Sequence, residues 1–415
     1  MKRKAGMLAD HCSGLPRWIQ RVAISVAFIG NVAVAHAAEP IKIGLLEDET
    51  GILAQGGTPK IHGARLAVEE INAAGGVLGR KLDLIVYDAQ SDNRRYQELA
   101  RRLISNDKVD VLMGGLTSAS RVALQPIAER AKVLYFYNNE YEGGVCDKNV
   151  VITGSSPDQY QAVVPWMIKN VGKKVYTIAA DYNFGQTLGL WVKKLVKESG
   201  GTLVGEEYIP LSVSQFSQTI SNIEAAKPDW VFTAMVGSNQ VSYFQQASAA
   251  GLNLPMASPI NGTLLYEHKQ LPPPVMANMY LGVNYMEELK TPENAEFVKR
   301  WHEKFPKEPY INQPAVDSYI GVKLYAKAVE AAGTPEREAV INAIETKDIC
   351  VDSPEGKLCF DKPTHHVSHP IHIMKVEKDH SVTTVADLGV MPPVWLHEKG
   401  CDLAKNPQST QFTPN

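Results

Sequence analysis

Short apolar runs alternate along the chain with longer stretches in which apolar residues recur every three or four positions. Runs of the first kind are typical of buried strands, and stretches of the second kind are typical of amphipathic helices. The strand-like runs lie at 41–47, 81–88, 109–115 and 132–138, and again at 173–181, 200–210, 228–236 and 255–259. Because the alternation of strand and helix occurs in two successive series, it predicts two α/β lobes, each with a mostly parallel sheet.

Helical periodicity returns after Met286, in segments at 291–305, 314–333 and 337–345. The helices of the first series cover its predicted sheet less completely than those of the second series. We therefore expect the chain to cross back to the first lobe here and to cross once more at the β-rich tail. The predicted division is lobe 1 at 38–156 plus 286–348, lobe 2 at 157–285 plus 349–390, and a C-terminal tail at 391–415. One continuous sheet with a long helical tail is the alternative.

The predicted crossings place a hinge near Ser155-Ser156, near Tyr285-Met286 and after Ile349. Parallel sheets of this kind bind ligands beyond the carboxyl ends of their strands. Two lobes joined by several crossings would therefore face one cleft with their strand-to-helix loops.

The first 37 residues have the composition of a secretory signal peptide. A basic segment opens at residues 2–4, and the apolar segment VAISVAFIGNVAVAHA ends in the small-x-small site at 35–37. A membrane anchor is the alternative, but the apolar segment has only about 15 residues, whereas a spanning helix needs about 20. We expect cleavage after Ala37 and a mature protein that is exported to the periplasm and is not embedded in the membrane.

The charge of the chain argues against a nucleic-acid partner. The formal net charge is −3, and removal of residues 1–37 takes away five Lys/Arg and one Asp, which changes the charge to −7. Nucleic-acid binding needs a basic face for the phosphates.

Four cysteines remain after the predicted signal segment, namely Cys146, Cys350, Cys359 and Cys401. An even number in an exported chain suggests two disulfides, for which three pairings exist. Cys350 and Cys359 bracket the turn-like segment SPEGKL, which favours a bond between them and leaves Cys146 with Cys401. None of the four has CxxC spacing, so metal and redox roles are not favoured.

Hydroxyl, amide and aromatic side chains gather where the predicted strands meet the following helices. The residues at these junctions include Leu116-Thr117-Ser118, Tyr137-Asn138-Asn139-Glu140, Asp181-Tyr182 and Met235-Val236-Gly237. A plain helix N-cap is the simplest interpretation of the hydroxyls. A helix N-terminus can also bind a carboxylate or a carbonyl, and small-molecule pockets combine aromatic walls with a few polar groups. The junctions are therefore a candidate ligand site.

At these residues the chain resembles the type I periplasmic ligand-binding proteins, in the Leu/Ile/Val-binding branch that feeds ABC importers. The best-matching segments are IKIGLLEDETG, the stretch 62–92, GGLTSAS and DYNFGQ. Within that branch the chain is more similar to amide- and urea-binding members, on TSASR, YNNEYEG, VGEEYIPL with the following 216–232, and a His-containing tail. The resemblance implies an α/β fold of two Rossmann-like lobes, joined by a multi-crossover hinge with a ligand cleft between them.

The resemblance also implies which residues bind the ligand. It places Ser118, with Thr117, on the ligand's carbonyl or carboxylate. The other implied ligand-binding residues are Tyr137, Asn138 and Asn139 in the first lobe and Tyr182, Val236 and Gly237 in the second.

The sequence departs from these relatives at two places that affect the ligand. Amide binders tend to have Pro and Thr where this chain has Asn138-Asn139. Branched-chain amino-acid binders usually hold the ammonium group with an acidic residue in the second lobe, and the corresponding stretch ASPINGTLL has none. A buried ammonium without a partner is costly, which favours a small neutral or singly charged polar ligand unless Asp181, Glu140 or Asp317 supplies the carboxylate.

Metal binding and catalysis find little support in the sequence. His365, His366, His369 and His372 invite a metal-site interpretation, but a polar strand face explains their spacing better. The chain has no GxSxG, HExxH, Walker or Rossmann GxGxxG motif. We expect a binding protein without a cofactor rather than an enzyme.

The sequence thus predicts a periplasmic receptor that closes around a small polar solute, such as a short amide, urea or an amino acid. It would be a monomer and would deliver the solute to an ABC permease in the inner membrane. The alternative is a ligand sensor of the same fold that acts on a signalling partner.

Overall fold

The structure is a computed structural model that describes residues 39–155 and 157–414. The predicted signal peptide at 1–37 and the hinge residue Ser156 lie outside the described residues. The strands are β1 (Ile41–Glu47), β2 (Leu82–Asp88), β3 (Val111–Gly114), β4 (Leu134–Tyr137), β5 (Val145–Cys146), β6 (Val150–Ile152), β7 (Lys174–Ala180), β8 (Thr202–Ile209), β9 (Trp230–Ala234), β10 (Met256–Ser258), β11 (Met279–Val283), β12 (Cys350–Ser353), β13 (Gly356–Asp361), β14 (His366–Val376), β15 (Val382–Met391) and β16 (Thr410–Gln411).

The helices include the three predicted after Met286 at 291–305, 314–333 and 337–345, which are α9, α10 and α11. They are α1 (Ala54–Ala73), α2 (Asn93–Arg102), α3 (Ser118–Ala131), α4 (Asp158–Asn170), α5 (Asn183–Glu198), α6 (Ser217–Ala226), α7 (Asn239–Ala249), α8 (Glu267–Gln270), α9 (Pro292–Lys304), α10 (Gln313–Ala332), α11 (Arg337–Thr346) and α12 (Val394–Glu398). A single π-helical turn at Leu103–Asp107 continues α2. Helix α4, which carries Pro165 inside it, is one element that the apolar pattern did not indicate.

Two parallel arrays of strands form the body of the protein. The first sheet half has the order β2-β1-β3-β4-β6, and the second sheet half has the order β11-β10-β9-β7-β8. Neighbouring strands within each half are parallel. Parallel sheets are covered on both faces, and the strands β3, β4 and β9 are accordingly buried at every position. The predicted α/β fold with two Rossmann-like lobes is confirmed.

The long strand β14 joins the two sheet halves. Its first residue, His366, pairs with Ile152 of β6, and its last five residues pair antiparallel with β11. Strand β13 of the hairpin β12-β13 pairs with the beginning of β14, and β15 pairs with β14 from His369 to Val376. Because β14 runs through both halves, the lobe boundaries proposed inside 349–390 stay a prediction.

After the second sheet half the chain returns to the first. Thr291 caps α9, and its side chain accepts a hydrogen bond from the backbone N–H of Asn294 at 3.1 Å. Helix α10 then packs against α1 so closely that a Cβ atom at Gly63 would lie 2.1 Å from the carbonyl oxygen of Ala315. This contact requires glycine, and it shows how the helices after Met286 cover the first half.

Two disulfides join the cysteines in the pairs favoured from the sequence. Cys350 is bonded to Cys359 across the β12-β13 hairpin. Cys146 is bonded to Cys401 over a sequence separation of 255 residues. The second bond holds the segment after α12 against β5, where Thr410 and Gln411 also pair with Cys146 and Val145.

Candidate functional site

A buried pocket lies at the carboxyl ends of strands from both sheet halves. The pocket is narrow: the centre of a water-sized sphere can occupy only about 10 Å³ of it, which is about the space of one water molecule. The residues that line it are Leu116, Ser118, Tyr137, Asn139 and Glu140 from the first half and Tyr182, Phe184, Val236, Ile260 and Leu264 from the second. The walls are largely aromatic and aliphatic, and the polar groups are concentrated on the first-half side.

Five of the eight residues predicted to bind ligand line this pocket: Ser118, Tyr137, Asn139, Tyr182 and Val236. Leu116 was placed at its junction but not on the ligand, and Phe184, Ile260 and Leu264 were not predicted to bind ligand, because an apolar residue near a strand end carries no signal of its own in the sequence. Glu140 was expected at the junction after β4 and as one of three carboxylates that could hold an ammonium group, but not among the eight ligand-binding residues.

Thr117, Asn138 and Gly237 do not line the pocket. The Thr117 hydroxyl accepts a hydrogen bond from the Ser120 N–H at 3.1 Å, and the Ser120 side chain returns a bond to the Thr117 N–H, which is a capping box. Asn138 accepts a hydrogen bond from the Thr153 hydroxyl at 2.6 Å inside the first half. Gly237 has a φ of 93° in the turn before α7, where its backbone rather than a ligand requires glycine.

The hydroxyl of Ser118 is held by a buried ion pair. It donates a hydrogen bond to Oε2 of Glu142, and Oε1 of the same carboxylate lies 2.7 Å from Nη2 of Arg121. Burial lowers the pKa of the Arg121 guanidinium, but the charge and the hydrogen bonds of Glu142 outweigh it, and the net pKa is raised. Because the Ser118 proton is committed to Glu142, its oxygen can only accept a hydrogen bond from a ligand.

The carbonyl oxygen of Leu116 accepts one hydrogen bond from each of two further pocket residues, and the second Nδ2 hydrogen of Asn139 stays available. Nδ2 of Asn139 donates to this carbonyl oxygen at 2.7 Å, and the Tyr137 hydroxyl donates to it at 3.3 Å. Since a carbonyl oxygen can only accept, the bond fixes which atom of the Asn139 amide is nitrogen. Oδ1 of Asn139 is buried and has no hydrogen-bond partner among the described residues.

Glu140 is the acidic residue of the pocket wall. It is 5% exposed, and its Oε2 is buried without a hydrogen-bond partner in the part of the chain that the structure describes. Burial raises the pKa of Glu140, and its own backbone N–H, the charge of Lys60 and the Gln313 amide offset part of that rise. Lys60 does not neutralise Glu140 directly, because its Nζ lies 2.8 Å from Oε1 of Glu47.

A second buried polar group lies between the sheet halves, at the predicted crossings. We call it the histidine network; it comprises Thr153, Asn284, Glu355 and His369. Nδ1 of His369 lies 2.7 Å from Oε2 of Glu355, and Nε2 lies 3.1 Å from the carbonyl oxygen of Thr153. Both ring nitrogens face acceptors, so both donate. Burial lowers the pKa of His369, but the charge and hydrogen bond of Glu355, the charge of Asp317 and the Thr153 carbonyl together outweigh it, and the net pKa is raised.

The four histidines of the tail do not converge on a metal site. Each faces a different partner, with His365 near Glu345, His366 on the Tyr141 hydroxyl, His369 on Glu355 and His372 near Asp387. Within 39–155 and 157–414, no group of three or more His, Cys, Asp or Glu residues is arranged to hold a metal ion.

A family model described as periplasmic binding protein matches residues 40–381. The chain belongs to the periplasmic binding protein family. Among curated relatives, this binding protein is similar to the Leu/Ile/Val-binding protein homolog 7 of Brucella abortus (strain 2308). The two are 27% identical over 349 residues, which cover 79% of this chain and 86% of the relative.

Solved structures of ABC-transporter binding proteins share the fold. One is the solute binding protein of an ABC transporter from Rhodopseudomonas palustris BisB5 in complex with 3,4-dihydroxy benzoic acid, with a TM-score of 0.76, 25% identity, and coverage of 86% of this chain and 99% of that one. Another is the amino acid ABC transporter substrate-binding protein from Pseudomonas fluorescens Pf-5, with a TM-score of 0.75, 24% identity, and coverage of 88% and 100%.

These relatives are binding proteins, so the family places this protein among binding proteins rather than enzymes. The names of these relatives give no support to the sensor alternative. No helix in the described part of this periplasmic binding protein is long and apolar enough to cross a membrane.

Proposed function

We propose that this protein is the periplasmic substrate-binding component of an ABC importer and captures a small polar solute, such as a short amide, urea or an amino acid. The observation that carries the proposal is the buried pocket, whose walls come from the strand ends of both sheet halves. A ligand that touches both halves favours the closed state over the open one, because it gains contacts only when the halves approach. An inner-membrane permease would then receive the closed form.

The charges around the pocket favour a neutral or cationic solute over an anion. No lysine or arginine lines the pocket within the described residues, and the nearby Arg121 is already paired with Glu142. Transfer of a carboxylate ligand from water into this pocket would be costly, because no cationic side chain there is free to pair with it. The aromatic acid bound by the Rhodopseudomonas palustris protein is therefore the less favoured ligand class here.

A binding screen of the mature protein, residues 38–415, tests the proposal. Urea, acetamide, leucine and benzoate would each be tested for a rise in the midpoint of thermal unfolding, since a ligand present at a hundredfold excess over its Kd stabilises the folded state by about 2.7 kcal/mol. Hits would be repeated with Tyr182→Ala, which removes a pocket wall, and with Tyr208→Ala as a control on a half-buried tyrosine outside the pocket.

We expect Tyr182→Ala to abolish the shift and Tyr208→Ala to retain it. A shift that survives Tyr182→Ala would place the ligand elsewhere and would contradict the proposed site. If no amino acid, amide, urea or small carboxylate shifts the midpoint, the proposed solute class is wrong.

A further inference from the structure

The segment that follows β15, at 392–414, is fastened to the first sheet half. We call it the tail segment. Cys401 is bonded to Cys146, and Phe412 donates its backbone N–H to the carbonyl oxygen of Gly144 at 2.8 Å. Both partners belong to the loop between β4 and β6, which are strands of the first half. The position of the tail segment is therefore set by the first half.

One residue of the tail segment packs against the second half. Trp395 lies edge-on to Trp191 of α5, with ring centroids 4.6 Å apart and ring planes at 70°, which is a favourable geometry for aromatic rings. Trp191 is fully buried, and α5 packs on β7 and β8 of the second half. The tail segment thus bridges the two halves through this pair of rings.

Trp191 also contacts the first half directly. Its Nε1 donates a hydrogen bond to the carbonyl oxygen of Glu142 at 2.9 Å, and the Tyr160 hydroxyl of the neighbouring helix α4 donates to the same oxygen at 2.7 Å. Glu142 lies in the loop that also carries Cys146. The Trp191 indole therefore contacts two groups that are fixed to the first half. We call Trp191, Trp395 and the Glu142 carbonyl the tryptophan clasp.

We propose that the tryptophan clasp holds the two sheet halves in their closed arrangement with or without a solute, and that the tail segment serves to position Trp395 for it. The contacts of the clasp join protein groups only, so they do not need a ligand. Separation of the halves would withdraw Trp191 from the Glu142 carbonyl and from the Trp395 ring, because the indole belongs to one half and its partners are fixed to the other.

The clasp is also connected to the pocket. The carboxylate of Glu142 accepts the hydrogen bond of the Ser118 hydroxyl, while its backbone carbonyl accepts the bond from Trp191. The tail segment lies beyond residue 381, where the match to the family model ends. Control of closure by this segment is a role that goes beyond the proposed capture of a solute.

Small-angle X-ray scattering of residues 38–415 without solute tests the clasp, because separation of the halves raises the radius of gyration. Trp395→Ala should raise the ratio of open to closed molecules at least about tenfold, since it removes an edge-to-face aromatic pair together with its buried area. Trp395→Phe keeps an aromatic ring and should restore most of the closed form. Trp166→Ala is the matched control, because Trp166 packs on Tyr280 inside the second half, and its radius of gyration should stay at the wild-type value.

The disulfide gives a second test that leaves Trp395 in place. The double variant Cys146→Ser/Cys401→Ser removes the covalent tie of the tail segment and should also raise the radius of gyration. Its control is Cys350→Ser/Cys359→Ser, which removes the bond across the β12-β13 hairpin and should not. The disulfide variants decide the question if Trp395→Ala does not fold.

Two results would overturn the clasp. One is a wild-type protein that scatters as an open form without solute. The other is a wild-type radius of gyration in both Trp395→Ala and the Cys146→Ser/Cys401→Ser variant, even if their midpoints of thermal unfolding fall, because the tail segment would then stabilise the fold without controlling closure. No solute is present in these measurements, so a failed binding screen would leave the clasp standing, and loss of the clasp would leave the proposed solute capture in place.

Discussion

The pocket and the histidine network each contain a buried carboxylate, but the two carboxylates differ in how many of their oxygens have hydrogen-bond partners. Both oxygens of Glu355 have partners, from Asn284 at 3.0 Å and His369 at 2.7 Å. In contrast, Oε2 of Glu140 has none within the described residues. Both side chains are buried, so exposure does not separate them. The difference indicates that a buried polar group with complete partners stabilises the fold, whereas one with an open oxygen next to a cavity is available to a ligand.

Glu355→Ala should give the largest effect on stability. It would leave His369 and Asn284 without their shared partner, and removal of one member of a buried ion pair costs about 3–5 kcal/mol. Chemical denaturation would measure the free energy of unfolding, with Glu140→Gln as the control that should change it far less. An equal loss of unfolding free energy in the two variants would contradict the distinction between the pocket and the histidine network.

The cost of Glu355→Ala should also depend on pH. Because the folded-state pKa of His369 is raised, its pairing with Glu355 contributes stability fully below the unfolded pKa of about 6.5. That contribution is lost as the pH rises through the folded-state value. The deficit of the variant should therefore be larger at pH 5.5 than at pH 9, and a deficit of the same size at both pH values would show that His369 is neutral in the folded protein.

Glu267 offers an intermediate case between the two regions. Its Oε2 accepts a hydrogen bond from the Gly262 N–H at 2.6 Å, its Oε1 has no partner among the described residues, and it does not line the pocket. Burial raises its pKa from 4.5 to about 7, so the wild type should lose stability as the pH rises from 4.5 to 7. Glu267→Gln should remove about 3 kcal/mol of that loss.

Denaturation of both proteins at pH 5 and pH 8 would measure this difference, and binding of the screen's hits would be followed in parallel. Unchanged binding is expected. If Glu267→Gln weakened binding as strongly as Glu140→Gln, the position of Glu140 in the pocket wall would not explain its effect on binding.

The adjacent residues Asn138 and Asn139 repeat the comparison between a residue that stabilises the fold and a residue that lines the pocket. Asn138 accepts a hydrogen bond from Thr153 inside the first half, whereas Asn139 lines the pocket and its Oδ1 has no partner among the described residues. Asn138→Ala should cost about 1 kcal/mol of stability and leave the Kd unchanged, whereas Asn139→Ala should raise the Kd about tenfold. Calorimetric titration of the two variants would test this, and an equal rise in Kd would contradict the assignment of Asn138 to the fold.

The sequence by itself determined the strand-helix alternation, and with it the two parallel sheet halves and the edge at which the pocket forms. Apolar periodicity is a property of short segments, so it can be recognised in the sequence without knowledge of the fold. Periodicity indicated the strand ends, and the family resemblance assigned the candidate ligand residues to them; those that line the pocket, each at or within a few residues of a strand end, are Ser118, Tyr137, Asn139, Tyr182 and Val236.

Only the tertiary structure decided which polar atoms remain available there. Thr117 and Ser118 are adjacent hydroxyl residues at the start of α3, yet one caps the helix and the other donates to Glu142, 24 residues further along the chain. Ile260 and Leu264 reach the pocket from the second sheet half. Hydrogen-bond partners and pocket walls depend on distances between residues far apart in sequence, and packing sets those distances. The open oxygen of Glu140 is therefore a property of the fold.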